Sequence, residues 1–264
     1  MELLEATLFG LLVGLSLGLT GGGGSILAVP LLLYGLDFPL RAAVAVSLAV
    51  VGLTALYGAV LQSRAGLVVW RAGAIIGAGG ILAAPFGAAL GRLLSDTTTL
   101  VLFASLMLFI GLSMLRQKTG ADTIFTRFAC ARTPEGLPKF SLLCAGKLVL
   151  SGLLVGVLSG LFGVGGGFLV VPAILITAAV SIERALATSL VAIALTSASA
   201  LAANYGALAG LDMAVPGLFL AGSLVGLTGG SFVKKAIPPP ALRAGFAAVV
   251  ILVGAAMLVK ELTG

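Results

Sequence analysis

Long apolar runs alternate with short polar connections along this chain. The runs extend from about Leu3 to Tyr34, Ala42 to Leu61, Ala72 to Leu90, Leu100 to Leu115, Leu142 to Val180, Ala185 to Leu208, Met213 to Val233 and Ala241 to Val259. A helix of about 20 apolar residues crosses the hydrocarbon of a bilayer, so most runs predict one membrane helix each. The first and fifth are too long for one upright helix and too short for two. Each is interrupted by glycines, Gly21, Gly22, Gly23 and Gly24 in one and Gly163, Gly165, Gly166 and Gly167 in the other. Consecutive glycines do not sustain a helix. Each long run therefore predicts a helix that reaches about mid-membrane, turns at the glycines, and returns as a short helix beginning near Ser25 or Phe168.

The two halves repeat. A shift of 142 positions sets Gly10 to Gly14 on Gly152 to Gly156 without a mismatch, and 20 of the 45 positions from Gly10 to Thr54 are identical. A chain this rich in Leu, Ala, Gly and Val matches itself by chance at roughly a tenth of positions, so the excess marks an internal duplication. The expected fold is an all-α integral membrane protein of two repeats. Each repeat has a glycine-broken helical hairpin followed by three transmembrane helices. The expected boundaries are residues 1–116 for the first repeat, 117–141 for a basic linker and 142–264 for the second repeat.

The few charges then set an orientation. From Arg116 to Lys147 the chain carries Arg116, Lys118, Arg127, Arg132, Lys139 and Lys147 against Asp122 and Glu135, which places this connection in the cytoplasm of a cell with an inner (plasma) membrane. Counting spans outward, a hairpin that returns to its starting side keeps Lys234, Lys235 and Arg243 inside, whereas a single crossing would put them outside. The same rule applied to the first hairpin puts the N-terminus outside. Corresponding connections of the halves then fall on opposite sides, an inverted-topology repeat of the kind found in many secondary transporters. With Glu2 and Glu5 ahead of the apolar stretch and no basic segment there, a removable signal peptide is disfavoured.

Composition narrows the chemistry. Of 264 residues, 60% are hydrophobic and 9% charged, far from the roughly 25% charged of a globular domain, so a soluble enzyme is excluded and the lipid bilayer is the expected surrounding. There is no His, and only two Cys and nine carboxylates are scattered along the chain. That leaves no material for zinc, Fe–S or histidine-bound haem sites, and no cofactor is expected. Cys130 and Cys144 form no CxxC pattern, and on a cytoplasmic face they are expected to stay reduced and structural. The net charge of +6 sits singly in short connections, not in a stripe that would grip nucleic acid. No mid-span nucleophile has a base beside it, and no carboxylates pair there, so an intramembrane enzyme is disfavoured.

The glycine turns are the candidate chemistry. Non-helical backbone at membrane depth must be buried in protein or line a polar cavity. A returning helix presents free N–H donors and about half a positive charge at its N-terminus, so two opposed ends could hold an anion without Lys or Arg. The alternative is packing, which suits Gly10, Gly14 and Gly18 and their mates Gly152, Gly156 and Gly160, spaced for close helix contact. It also suits the third cluster, Gly226 to Ser231. Thr54 and Thr196 are repeat mates at mid-helix, and their hydroxyls could donate to an anion or bond back to their own helix. Ser25 could cap its half-helix or touch substrate. Ser47 and Ser189 could flank the path, and Gln62, Asn204 and Tyr205 lie nearer the membrane surfaces.

The duplicated pattern Gly-Leu-x-Gly-x-Gly-Gly followed by an apolar run and Pro, from Gly18 to Pro30 and from Gly160 to Pro172, resembles the TauE/SafE family of sulfite-exporter permeases. So does Ala-x-Ala-x-Ser-Leu, from Ala43 to Leu48 and from Ala185 to Leu190. The resemblance covers essentially the whole chain. It implies a transporter of sulfite, sulfoacetate or related sulfur-containing anions, and it departs between copies at Gly22 against Val164 and Ser25 against Gly167.

Overall fold

The computed structural model describes residues 2–116, 130, 141–178, 180–233 and 239–263. Most of the expected linker, and Lys234 and Lys235, lie outside them. Every element described is helical: α1 (Glu2–Thr20), α2 (Ser25–Pro30) continuing as a π-helical turn (Leu31–Gly35), α3 (Leu40–Arg64), α4 (Trp70–Leu93) and α5 (Asp96–Arg116) in the first repeat. The second contains α6 (Leu142–Phe162), α7 (Gly167–Ala178), α8 (Ile182–Asn204), a 3-10 turn (Tyr205–Leu208), α9 (Ala214–Val233) and α10 (Pro239–Thr263). Eight of these helices are long and apolar enough to cross a membrane. Phe86, Leu93, Phe109 and Leu252 are each more than two-thirds exposed, an apolar outer surface that water would not tolerate and lipid does.

Both glycine-broken runs fold back on themselves. Gly24 lies against Val13 and Leu17 of α1, and Gly35 against Phe9, so the short arm descends antiparallel to the long one. The connection after it shares a cavity with Leu3 and Glu5. In the second copy Gly166 lies against Val155 and Ser159, the positions related to Val13 and Leu17 by the 142-residue shift. The arm ends near its origin, where the Cys130 amide donates to Thr177 O at 2.7 Å and Cys130 is joined to Cys144.

The outgoing arms are longer than the half-span expected from the sequence. With 19 and 21 residues, α1 and α6 measure roughly 28–32 Å, against roughly 18 Å for the 12-residue α7 at 1.5 Å per residue. Gly163, at the end of α6, packs on Val44 near the start of α3, and Gly165 packs on Val51 at the middle of α3. The glycine segment is therefore a climbing loop, which carries the chain from the end of a nearly full-length helix back to mid-depth.

The repeats interlock. Gly10, Gly14 and Gly18 of α1 press on the backbone of Phe219, Ser223 and Leu227 of α9, and Gly152, Gly156 and Gly160 of α6 press on Ile76, Gly80 and Ala84 of α4. Gly226 and Gly230 return the contact to Leu11 and Leu15. These small-residue seams bring backbones to close approach, so each repeat's first helix packs on the other repeat's fourth element. The repeat-related pairs α3/α8 (Gly52 on Ser197, Gly58 on Leu190) and α5/α10 (Gly111 on Ile251, Gly254 on Met107) run antiparallel. The helices α3 and α8 occupy the centre, and Leu48, Val51, Ala192 and Ile193 are buried there.

One expectation is corrected. Cys130 and Cys144 form a disulfide with a Cα–Cα distance of 5.3 Å and are not free thiols. The hydrogen bond to Thr177 draws Cys130 into a buried position beside the start of α6, where the Ser141 hydroxyl caps the helix by accepting from the Cys144 amide. The 14-residue separation gave no sign of this fold-back.

A side chain in a seam should separate the helices. A Cβ at Gly156 would lie 2.6 Å from Gly80 O, whereas one at Gly217 meets nothing within 4 Å. Gly156→Leu is expected to destabilise by about 1–3 kcal/mol or more, read as a lower thermal unfolding midpoint in detergent, while Gly217→Leu leaves the midpoint in place.

Candidate functional site

The two turns meet at the centre of the molecule. Gly22 contacts the backbone of Gly167, and Ser25 Oγ lies 2.7 Å from where a Gly167 Cβ would be. All of Gly21 to Ser25 and Gly163 to Gly167 are buried. Each turn is also clasped by the other repeat's central helix in matching fashion: Gly21 packs on Leu186 of α8 and Gly163 on Val44 of α3, positions 142 apart. The left-handed φ of +71° at Gly163, +63° at Gly165 and +68° at Gly166 explains why glycine occupies these three positions.

The turns differ in how the hydroxyls around them are engaged. In the first, Gly23 N–H donates to Thr20 Oγ1 at 2.9 Å, Ser25 Oγ donates to Gly22 O at 2.7 Å, and Ser189 Oγ donates to Gly21 O at 2.6 Å. In the second, Gly163 N–H donates to Ser159 O and the α7 amides of Leu169 and Val170 donate to Gly166 O. The amides of Val164, Gly165 and Gly166 have no acceptor among the described residues, and in the first turn neither do those of Gly22 and Gly24. The fully buried hydroxyls of Ser47, Ser159 and Ser197 have no partner either.

The structure brings Ser25 and Ser189 to the first turn, and it turns the two threonines elsewhere. Thr54 Oγ1 donates to Ser223 Oγ of α9 at 3.0 Å. Thr196 Oγ1 bonds back to Ala192 O at 2.7 Å and packs on Gly80 of α4. Ser47 is buried on α3, one turn beyond Val44. Gln62 is half-buried at the far end of α3, and Tyr205 is exposed.

Asn204 lines a cavity of about 310 Å³ together with Arg41, Val44, Arg92, Asp96, Gly160 and Leu161. Its floor, Val44 and Leu161, adjoins Gly163, and Arg92 is steadied by donating to Ala203 O at 3.0 Å. In the sequence, Arg41 and Arg92 stand only as single charges in short connections. Ser159 and Ser197 carry no motif, and only comparison of the halves marks them: their mates are Leu17 and Ala55, so both hydroxyls occur in one copy only.

Residues 6–257 match the family described as "Sulfite exporter TauE/SafE". The chain belongs to this family. TauE/SafE membership, with eight apolar helices, makes it a multi-pass membrane protein. A "Probable membrane transporter protein" of Xylella fastidiosa strain Temecula1 is 38% identical over 184 residues, 69% of this chain and 66% of the relative. The chain thus spans just under two-thirds of that relative's length. "Probable membrane transporter protein YdhB" of Bacillus subtilis strain 168 is 28% identical over 188 residues, covering 69% of this chain and 70% of the relative. No solved structure matches.

The second turn is vulnerable to a single methyl. Gly165→Ala puts an L side chain at φ +63° with its Cβ 2.5 Å from Ser197 Oγ. A cost of about 1–2 kcal/mol follows from the backbone conformation alone. The thermal midpoint should fall, and a second change, Ser197→Ala, should not restore it, because the backbone strain remains.

Proposed function

We propose that this protein is a membrane transporter that exports small sulfur-containing anions, such as sulfite or organosulfonates, by alternating access around a mid-membrane site at the glycine turns. The observation that carries the reading is the burial of unpaired backbone donors where the turns meet. Low-dielectric surroundings make an unpaired polar group costly, and an oxyanion supplies the missing acceptors. The family match to sulfite exporters supports the sulfur-containing class. The antiparallel crossing of repeat-related helices supports an inverted-topology repeat, the framework in which a central site opens to either side by rocking one part against the other.

The cavity beside Arg41 and Arg92 provides an approach from one face, and its floor at Val44 and Leu161 separates it from the turn. Close contact between Gly22 and Gly167 favours a carrier over an open pore. No acidic or basic side chain is needed at mid-depth. With the interior negative, an anion leaving the cell gains about 2.3 kcal/mol per charge at 100 mV, enough to drive export. In proteoliposomes, sulfite flux should accelerate when a potassium diffusion potential makes the side of origin negative. Flux indifferent to the imposed voltage would defeat electrogenic export.

The linker's excess of Lys and Arg supports a cytoplasmic position in the inner membrane, while a persistent disulfide belongs to oxidising compartments. From Arg116 to Lys147 six basic residues stand against two acidic ones. Acid-quenched cells treated with a thiol-alkylating reagent test the orientation: a Cys130–Cys144 disulfide that persists unalkylated there would place the linker outside and reverse it.

A further inference from the structure

Although the halves are duplicates, the polar groups around their turns are not. The first turn carries its own hydroxyls: Thr20 accepts from Gly23, Ser25 donates to Gly22, and Ser189 donates to Gly21. At the equivalent positions the second turn has Phe162, Gly167 and Ser47. Phe162 and Gly167 bring no hydroxyl, and the hydroxyl of Ser47 is unpaired. The second turn instead faces Ser159 and Ser197, both fully buried and both unpaired. Ser197 Oγ lies 2.5 Å from where a Gly165 Cβ would be, and Ser159 Cβ lies 3.5 Å from the corresponding point at Gly166. Beside them stand the free amides of Val164, Gly165 and Gly166 at the N-terminus of the 12-residue helix α7.

We propose that the protein holds one anion per chain, at the second turn only, bound by the amides of Val164, Gly165 and Gly166 together with the hydroxyls of Ser159 and Ser197. This rests on the transport reading above and specifies its site. The first turn, with its hydroxyls already engaged, is the scaffold against which the site closes. The contact of Gly22 and Ser25 with Gly167 must part to admit the ligand. Every donor is uncharged, and the donors come from three directions: the loop, α6 and α8. That array suits the three oxygens of a pyramidal SO3 group, carried either by free sulfite or by the head of an organosulfonate, better than it suits a planar carboxylate.

An unpaired buried hydroxyl gives the test a signature that a structural serine would not show. Removing it relieves an unsatisfied group in the empty protein and takes a donor from the bound anion. Purified wild type, Ser197→Ala and Ser159→Ala would be titrated calorimetrically with sulfite, methanesulfonate and acetate, and the thermal midpoint of each anion-free protein measured. The expected result is one site per chain in wild type and a Kd for sulfite raised about tenfold or more by each variant, the scale of a lost hydrogen bond to a charged group. The anion-free midpoint should be equal or higher, and acetate should bind more weakly than either sulfur anion. Sulfite alone binding would assign the free anion, and methanesulfonate binding as well would assign the sulfonate head.

An unchanged Kd in both variants, two equivalent sites in wild type, or a lowered midpoint in the anion-free variants would overturn the one-turn assignment while leaving transport intact. Wild-type protein that neither binds these anions nor carries them in proteoliposomes would overturn the transport reading itself.

Discussion

Backbone amides and carbonyls that leave a helix inside a membrane have no water to turn to, and this constraint organises the molecule. Each unpaired group must be enclosed by protein or answered by a ligand. Here the two loops that break helical bonding are packed against each other and flanked by α3 and α8. The seams of Gly10, Gly14 and Gly18 on α9, and of Gly152, Gly156 and Gly160 on α4, draw the long arms in. Without that close approach the turns would face lipid. The packing glycines and the turn glycines thus serve one requirement by different means.

Duplication supplies the enclosure. A hairpin alone has one side covered by its own long arm, as Gly24 is by Val13 and Leu17, and needs a second surface from elsewhere. The other copy provides it in each case, with Leu186 covering Gly21 and Val44 covering Gly163. Once two copies exist, the surroundings of their turns can diverge: Thr20, Ser25 and Ser189 are engaged at the first turn, while Ser159 and Ser197 stand unpaired beside the second. Sequence divergence at a handful of positions is enough to produce this difference.

The larger features of the fold were legible because they follow from length and composition. Apolar runs fixed the spans, consecutive glycines fixed the breaks, and the 142-residue shift relates the two halves, whose contacts of Gly21 with Leu186 and Gly163 with Val44 are equivalent in the structure. Details governed by distance in space were not legible. The depth of the turns depends on how far α6 overshoots the centre before the loop climbs back, and no local signal encodes that. Thr54 and Thr196 stood at the right depth, but helix rotation turns one towards Ser223 and the other towards its own helix and Gly80. Depth is readable from position along a span, whereas facing depends on which neighbour each helix meets. The Cys130–Cys144 bond likewise depends on a fold-back that brings Cys130 to Thr177.

On the proposed carrier reading, the placement of charge follows from what such a protein must do in both directions of its cycle. Arg41 and Arg92 line the cavity near one face, where water screens them and they can raise the local concentration of anions without holding them. A guanidinium buried beside Gly165 would be a different matter. Desolvated and unpaired between turnovers, it would cost several kcal/mol, and with an anion bound in low dielectric its attraction would be strong enough to resist release. Amide and hydroxyl dipoles avoid both extremes: they lose less when empty and bind less tightly when occupied. On that reading, an interior of glycine and serine, with arginines kept to the rim, is the arrangement that would let an anion arrive by electrostatic attraction and still leave.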